Sequence, residues 1–214
     1  MDQTETSVTT VTSVGPDAVA LELETPDGFV AQPGQFVRLG VEIDGDVESR
    51  FYTLSSPDTD ETLEVTLTYD PESVVGARLA DLSAGDTVTV AGPFGDAHYD
   101  GEAHALVLAG GPGVGAAVGI AERALAEDND ATVVYLDDEP LHEDRLSTLS
   151  GAGATVTLVS DADGLEAAVE EAAGDESVFV YGFDDFVGLA SDALVENDFD
   201  VDAAAVESFG APPE

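Results

Sequence analysis

The spacing of apolar residues changes near residue 104, and this change constrains the fold more than any other feature of the sequence. Before it, runs such as 18–24 (AVALELE) and 62–68 (TLEVTLT) alternate apolar and polar side chains, as half-buried β-strands do. After it, apolar runs at 105–109, 132–136, 154–159, 177–181 and 201–207 are separated by helical segments at 114–126, 141–150, 163–173 and 184–196. Strands alternating with helices of this length are typical of a doubly wound parallel sheet.

The sequence therefore predicts a β domain followed by an α/β domain. Residues 1–99 also contain β-prone runs at 36–41, 50–54 and 87–90, with turn signals between them. Strands at this spacing favour a small antiparallel barrel or sandwich, and of the two we predict a six-stranded antiparallel β-barrel. Residues 103–214 are predicted to form the doubly wound parallel α/β sheet.

The charge of the chain predicts a salt-rich environment. There are 46 Asp and Glu residues against 5 basic residues, so the formal net charge is −41, and all five basic residues are arginines. Such a surface repels itself in dilute salt, but the screening length falls to about 3 Å at 1 M salt. We therefore expect a halophile-like source, with an acidic interaction protein as the alternative. In this composition an arginine indicates a site better than a carboxylate does.

Several classes of function are excluded by composition. Binding to nucleic acid or to anionic lipid is not expected at this charge. The chain has no cysteine, which rules out disulfides, thiolate zinc sites and a cysteine-ligated iron–sulfur cluster. His98, His104 and His142 lack metal-ligand spacing, so no metal site is predicted. The chain has neither an apolar run of about 20 residues nor a signal-like start, which predicts a cytoplasmic protein without a membrane span.

The most informative segment is RFYTLSSP at 50–57, which lies on a predicted strand. It places Arg50 and Tyr52 two residues apart and hence on one face of the strand. A guanidinium can grip a phosphate, and a tyrosine ring can stack on a planar ring system. These residues favour a site for a phosphate-bearing aromatic cofactor, whereas an ordinary strand with a surface arginine is the simpler alternative.

This segment resembles the R-x-Y-S/T signature of the ferredoxin–NADP reductase superfamily, whose β-barrel domain binds FAD. The resemblance implies that Arg50 pairs with the FAD pyrophosphate, that Tyr52 packs on the isoalloxazine ring and that Thr53 bonds near flavin N5. Phe51 belongs to the same segment and is included in the predicted cofactor site. The turn at 33–36 (PGQF) resembles the one that precedes this strand in the family.

The stretch 73–86 resembles the second FAD element of the family, a helix start before a Gly-Asp turn. The resemblance implies that the backbone amides of Val74, Val75 and Gly76 bind the pyrophosphate. Ser73 and Gly76 have exchanged residue types relative to the family pattern, so a hydroxyl contact at position 76 is lost. Thr66 and Thr68, on the preceding strand, are predicted to reach the flavin or its ribityl chain.

A glycine-rich loop follows the first strand of the second half. It comprises Gly110, Gly111, Pro112, Gly113 and Val114 and resembles the G-G-T/S-G-I/V-x-P loop that binds the nicotinamide nucleotide. Pro112 replaces a hydroxyl residue of the pattern, and Ala116 replaces its proline.

Three later positions complete the predicted site. Gly182 matches the glycine of the family's C-G-P-x-x-M segment, but Tyr181 stands in place of its cysteine. Asp137, after the second strand of the sheet, is predicted to bind ribose hydroxyls and to disfavour a 2′-phosphate, so NADH is preferred to NADPH. Phe209, in the closing segment, is predicted to approach the other face of the flavin.

The resemblance implies a FAD-dependent oxidoreductase that transfers electrons between NADH or NADPH and a carrier such as ferredoxin or another redox protein. The flavin performs the chemistry, so no catalytic acid or base is predicted among the side chains. Two alternatives remain open. One is an NAD(P)H:flavin reductase that releases its flavin, and the other is a FAD-binding electron-transfer subunit that no longer uses nicotinamide.

Overall fold

The computed structural model of the protein describes residues 3–70, 72–172, 174 and 176–212. The strands are β1 (Thr4–Gly15), β2 (Ala18–Glu24), β3 (Phe36–Ile43), β4 (Asp46–Thr53), β5 (Thr62–Thr68), β6 (Thr87–Phe94), β7 (His104–Gly110), β8 (Asp130–Leu136), β9 (Thr155–Val159), β10 (Ser177–Gly182) and β11 (Ala205–Ser208). The helices are α1 (Val74–Ala80), α2 (Val114–Ala126), α3 (Glu143–Ala152), α4 (Ala162–Glu171) and α5 (Asp184–Glu196).

The first six strands form one antiparallel sheet in the order β4-β3-β6-β1-β2-β5. An antiparallel bridge between Leu54 and Val65 joins the two end strands and closes the sheet into a barrel. The inward positions of the alternating strands, such as Leu21, Leu23 and Leu39, are completely buried. The predicted antiparallel barrel is confirmed.

Strand β1 is the barrel strand that is absent from the predicted β-prone runs, because its apolar and polar residues do not alternate regularly. Its inward positions include Thr6 as well as Val8, and its register shifts between Val8 and Thr10 and again between Ser13 and Gly15. Bulges of this kind reset which side chains face inward. They also let β1 pair with β6 through its first residues and with β2 through the rest.

The other five strands form a parallel sheet in the order β11-β10-β7-β8-β9, as predicted for the second half. Helices α2 and α3 cover the face of the sheet that is buried towards the barrel. Helices α4 and α5 cover the other face. The chain proceeds from β7 to β8 on one side and returns to β10 on the other, so the order reverses beside β7. In such sheets, ligands bind at the carboxyl ends of the strands where the order reverses.

Some boundaries differ from those predicted. Helix α3 begins at Glu143 rather than near 141, because the amide of His142 donates to the carbonyl of Val14 in the barrel and His142 adopts a left-handed conformation. Strand β11 begins at Ala205 rather than at 201, since the residues before it form a turn. Helix α4 ends at Glu171, and the predicted end of this helix at 173 lies outside the described residues.

Candidate functional site

Arg50 and Tyr52 lie on the same face of β4, as the sequence predicts. Their cross-strand partners are Leu39 and Val37, both of which are buried in the barrel core. Tyr52 is half-buried against this core, and burial raises the pKa of its hydroxyl although the nearby Arg50 charge opposes that rise. Arg50 is exposed, and its Nη1 donates to the carbonyl of Ser49 at 2.9 Å. A phenol face and a guanidinium are therefore side by side.

The guanidinium of Arg50 is notable in so acidic a chain. Arg123 and Arg145 form salt bridges with glutamates, whereas Arg50, like Arg38 and Arg78, forms none among the described residues. Strand β4 is also an end strand of the sheet, paired with β3 alone until the bridge that follows it. An exposed cation at an open sheet edge is suited to an anionic ligand such as a diphosphate. The residues present therefore fit the phosphate and ring portions of FAD.

The opposite face of β4 carries Phe51 and Thr53. Phe51 is 60% exposed and packs edge-on against Phe36 and Phe94, with ring centroids 5.6 Å and 6.0 Å away. Thr53 is buried opposite Phe36 in the register of β3 and β4. The four residues of the signature thus divide between two faces of the strand, with Arg50 and Tyr52 on one and Phe51 and Thr53 on the other.

The end of β11 meets the barrel near this aromatic cluster. A Cβ atom added to Gly95 would approach the ring of Phe36 at 3.0 Å and Oε2 of Glu207 at 3.5 Å. Burial and the charge of Asp96 raise the pKa of Glu207. The last strand of the second half therefore lies beside the start of β3 and the residue that follows β6.

Phe209 follows β11 and lies beside β10. Its amide donates to the carbonyl of Gly182 at 2.9 Å, and its ring packs edge-on against Phe183 with centroids 5.9 Å apart. The structure thus brings together two of the predicted site residues, Phe209 and Gly182, at the carboxyl end of β10.

The second predicted FAD element lies at the start of α1. Ser73 caps this helix, and its Oγ accepts from the amide of Gly76 at 3.3 Å. The amides of Val74 and Val75 occupy the first helical turn, where no intrahelical acceptor is available. Val75 is buried, whereas Val74 is 66% exposed. The helix therefore leaves these two amides, unlike that of Gly76, without an acceptor inside the helix.

The structure separates the roles of Thr66 and Thr68, which the sequence groups together. The hydroxyl of Thr66 is buried, 2.7 Å from Nε2 of His142 in the second half. This hydroxyl therefore belongs to the contact between the two halves and does not support the predicted flavin contact. Thr68 is exposed at the end of β5, opposite Ala18 at the start of β2.

The glycine-rich loop connects β7 to α2 through a single 3-10 turn, Gly111–Gly113. It packs closely on the end of β10, because a Cβ atom at Gly113 would overlap the carbonyl of Tyr181. Pro112 lies within the turn, and Val114, the first residue of α2, is completely buried. The loop occupies the position from which backbone amides and the positive end of a helix can bind a pyrophosphate.

A cavity of about 260 Å³ opens beside this loop at the carboxyl ends of β7, β8 and β10. Its lining includes Gly110, Gly111 and Asp137 from the predicted site, together with Leu136, Phe183, Asp185, Phe186, Leu189 and Pro212. The carboxylate of Asp137 accepts from the hydroxyl of Tyr135 at 3.0 Å and from the amide of Glu139 at 2.9 Å. Two hydrogen bonds therefore hold the carboxylate of Asp137 in place at the rim of this cavity.

Tyr181 does not face this cavity. Its ring is completely buried, its hydroxyl donates to the carbonyl of Ala97 at 2.9 Å, and burial raises the pKa of that hydroxyl. A side chain at Gly34 would overlap the same hydroxyl. The position where the resemblance expects a cysteine is thus occupied by an anchored tyrosine that reaches into the barrel half.

Sequence reasoning missed a group of polar residues at the boundary between the halves: Ser55, Glu64, Glu122, His142 and Arg145. Apart from Ser55, which belongs to the segment 50–57, no motif marks them, and the scarcity of arginine was the signal that could have drawn attention to Arg145. Among the described residues, no group of three or more acidic or histidine side chains is arranged to hold a metal ion. The same residues include no helix with the length and apolar character of a bilayer span.

Comparisons with known proteins agree with this geometry. Residues 5–99 match the family of oxidoreductase FAD-binding domains. Over 96 residues the chain is 38% identical to a glycine betaine monooxygenase reductase subunit from Chromohalobacter salexigens, a match covering 42% of this chain and 26% of that protein. Over 95 residues it is 37% identical to a probable dihydroorotate dehydrogenase B (NAD(+)) electron transfer subunit from Methanopyrus kandleri, covering 43% and 33% respectively.

Among solved structures, a cytochrome P450 reductase from Amycolatopsis superposes with a TM-score of 0.80 at 22% identity, covering 97% of this chain and 70% of the other. At that identity the similarity establishes the fold. The matched stretches span about a quarter to a third of the two sequence relatives. The family match covers residues 5–99, and the chain as a whole has the fold of the ferredoxin–NADP reductases.

Proposed function

We propose that the protein is a FAD-dependent oxidoreductase that passes electrons from NADH or NADPH to a one-electron carrier such as a ferredoxin. The observation that carries the proposal is the exposed guanidinium of Arg50 beside the half-buried phenol of Tyr52, inside the FAD-binding domain. Bound FAD supplies hydride acceptance and the release of single electrons. The side chains bind and orient the partners of that chemistry.

The barrel half would hold the cofactor through few contacts. Arg50 neutralises the pyrophosphate, and Tyr52 offers its ring as a stacking surface. The amides of Val74 and Val75 at the start of α1 add donors for the same phosphates. Thr53 stays in the proposal as a contact near the reactive edge of the flavin, and Thr68 as a contact to its ribityl chain.

The parallel-sheet half would bind the nicotinamide nucleotide in the cleft beside Gly110 and Gly111. Loop amides and the start of α2 favour the pyrophosphate, and Asp137 accepts hydrogen bonds from a ribose. The Asp137 carboxylate would repel a 2′-phosphate, which favours NADH over NADPH. Gly182 and Phe209 lie at the neighbouring strand ends and would border the nicotinamide and the flavin.

The carrier protein is proposed from the relatives, two of which are named as a reductase subunit and an electron transfer subunit. At a net charge of −41 this protein would repel an acidic carrier at low ionic strength. At 1 M salt this repulsion acts over only about 3 Å. A salt-rich cytoplasm is therefore compatible with the docking of an acidic ferredoxin.

One observation favours a second candidate, an electron-transfer subunit that retains FAD without using nicotinamide. Tyr181 is anchored to Ala97 where the family has a cysteine, and Pro112 stands where the family has a hydroxyl residue. Both changes fall in the half that would bind the nicotinamide nucleotide. They leave the Arg50 and Tyr52 site untouched.

The first experiment measures FAD binding in molar KCl. Wild-type protein is expected to form a yellow, stoichiometric complex, and Arg50→Ala should weaken it roughly 10- to 100-fold because a charged hydrogen bond is lost. Arg123→Ala is the matched control, since Arg123 pairs with Glu127 on the surface of α2. Equal weakening in both variants would contradict the phosphate role of Arg50. Loss of FAD from the wild-type protein on gel filtration would favour a flavin reductase with a diffusible flavin.

The second experiment adds NADH or NADPH to the FAD complex without oxygen and records the flavin absorbance. Bleaching by NADH in preference to NADPH is expected. A flavin that neither nucleotide bleaches would favour the electron-transfer subunit.

A further inference from the structure

Arg145 joins the two halves of the protein. It lies on α3, and its Nε and Nη2 donate to the two carboxylate oxygens of Glu122 on α2 at 2.9 Å and 2.7 Å. Its Nη1 donates to Oε1 of Glu64 on β5 at 2.7 Å, and its Nη2 also donates to the carbonyl of Ser55 at 2.7 Å. One guanidinium therefore contacts a helix of the parallel-sheet half and two segments of the barrel.

The segment that carries Arg145 makes a second attachment to the barrel. His142 contacts the hydroxyl of Thr66 through Nε2 at 2.7 Å, and its amide donates to the carbonyl of Val14 at 2.9 Å. Helix α2 approaches the same strand closely, since a Cβ atom at Gly115 would lie 2.8 Å from Thr66. The two halves are thus in contact around a small group of hydrogen-bonded side chains.

The elements that Arg145 joins are the ones that carry the proposed site. Ser55 lies two residues after the Arg50–Thr53 signature. The hydrogen bond from Arg145 to its carbonyl therefore holds the chain just beyond that segment. Glu122 lies on α2, the helix that begins at the glycine-rich loop. Arg145 therefore connects the segment that follows the proposed flavin-binding strand, through the carbonyl of Ser55, with the proposed nucleotide-binding helix, through the carboxylate of Glu122.

The burial of this network distinguishes it from the other ion pairs of the chain. The side chains of Arg145, Glu64 and Glu122 are 25%, 25% and 29% exposed, and a third partner is a backbone carbonyl. The Arg123–Glu127 pair is more exposed and lies within one helix. Salt screens partly buried pairs much less than exposed ones, so the Arg145 network is suited to persist at molar salt.

We propose that Arg145 is a positioning residue that holds the nucleotide-binding half in register with the flavin-binding strand. The proposal rests on the proposed function for its catalytic consequence. Its structural consequence, that removal of the guanidinium loosens the contact between the halves, does not depend on any cofactor. Without Arg145, Glu64 and Glu122 would face each other across the boundary without a cation between them.

The structural consequence is tested by hydrogen–deuterium exchange on the FAD-free protein in molar KCl. Arg145→Gln is expected to speed amide exchange at least tenfold in 55–66 and 141–146, and to leave the central strands β7 and β10 unchanged. Arg123→Gln, the same change at a surface pair, should leave both segments at wild-type rates. Unchanged exchange in Arg145→Gln would overturn the proposal. If that variant does not fold, Glu64→Gln removes the barrel-side charge alone, and it must show the same local increase.

The catalytic consequence is tested by stopped-flow reduction of the FAD complex with saturating NADH. Arg145→Gln should reduce the flavin at least tenfold more slowly than wild type while its FAD dissociation constant changes less than twofold, and Arg145→Lys should recover part of the rate. Wild-type reduction rates in Arg145→Gln would overturn the positioning role. A wild-type flavin that NADH and NADPH both fail to reduce would overturn the proposed function and the positioning role with it, whereas the exchange result would still report the contact between the halves.

Discussion

The phenol of Tyr181, at the end of β10, donates to the carbonyl of Ala97 at 2.9 Å and lies against the α-carbon of Gly34 in the barrel. This contact links the parallel sheet to the turn that precedes β3. The turn requires glycine at position 34 for two reasons. The backbone has a positive φ of 99°, and the phenol of Tyr181 leaves no space for a side chain. A residue of the second half thus restricts the sequence of the first.

Gly34→Ala should destabilise the protein more than the same change at Gly28. Both glycines have positive φ, 99° and 77°, so backbone strain should cost each alanine variant about 1–2 kcal/mol of unfolding free energy. At Gly28 nothing lies within 4 Å of an added Cβ, whereas at Gly34 the added atom displaces the buried phenol. We expect a further loss of about 1–3 kcal/mol at Gly34, measured by urea unfolding in molar KCl.

The double variant Gly34→Ala with Tyr181→Phe provides the control for this prediction. Removing the hydroxyl relieves the overlap with the added methyl group. In the Tyr181→Phe background, Gly34→Ala should therefore lower the free energy of unfolding by less than it does in the wild type. Additive effects, or equal losses at Gly28 and Gly34, would contradict the contact.

The buried His142 should make the stability of the protein depend on pH. Burial, together with the charge of Arg145, lowers the pKa of His142 from 6.5 to about 3. The unfolded chain therefore binds a proton at His142 near pH 6.5, whereas the native protein binds it only near pH 3. The free energy of unfolding should fall as the pH falls through this range, by about 2 kcal/mol from this residue between pH 7 and pH 5.

The matched variant is His142→Asn, because asparagine tolerates the left-handed backbone of this position and offers a polar group to Thr66. Its unfolding free energy should change less between pH 7 and pH 5 than that of the wild type. The carboxylates and the other two histidines are common to both proteins and cancel in the difference. Parallel pH curves for the two proteins would exclude His142 as the source.

How far the sequence predicts this fold depends on how regular each element is. Strands β2 and β5 and helix α5 have the predicted boundaries, since their apolar spacing is uninterrupted from end to end. Strand β1 escapes prediction because bulges interrupt its alternation. Helix α3 starts late because a contact to the barrel captures His142, and no local pattern encodes a contact with residues more than a hundred positions away.

The same distinction applies to the site. Side-by-side placement of Arg50 and Tyr52 follows from the two-residue period of a strand, so the sequence alone predicts it. The contact of Thr66 does not follow, because the alternation of its strand does not show that its hydroxyl meets His142, 76 residues further along the chain. The partners of Arg145 do not follow either, since Glu64 and Glu122 lie in separate elements that only the folded chain brings together.

Asp137 should control the choice between nicotinamide nucleotides if the proposed function is correct. Its carboxylate lines the cleft and is held by Tyr135, so Asp137→Ser should remove the repulsion of a 2′-phosphate. We expect the ratio of kcat/KM for NADPH to that for NADH to rise about tenfold, which corresponds to roughly 1.4 kcal/mol. Asp138→Ser is the control, because Asp138 is exposed and does not line the cleft. The same rise in both variants would indicate a general charge effect.

Repulsion among carboxylates on α4 predicts that replacing Glu166 by a neutral residue stabilises the protein at low salt but not at high salt. The charge of Glu196 is the main cause that raises the pKa of Glu166 on α4, with Asp163 and Glu170 adding to it. Glu166→Gln should therefore raise the melting temperature in 0.1 M KCl and leave it unchanged in 3 M KCl, where screening removes the repulsion. Glu127→Gln is the opposite control, since it breaks the exposed pair with Arg123 and should lower the melting temperature in dilute salt only. Because both changes remove one negative charge, a shift of the same sign in both would mean that net charge, rather than local arrangement, governs the response to salt.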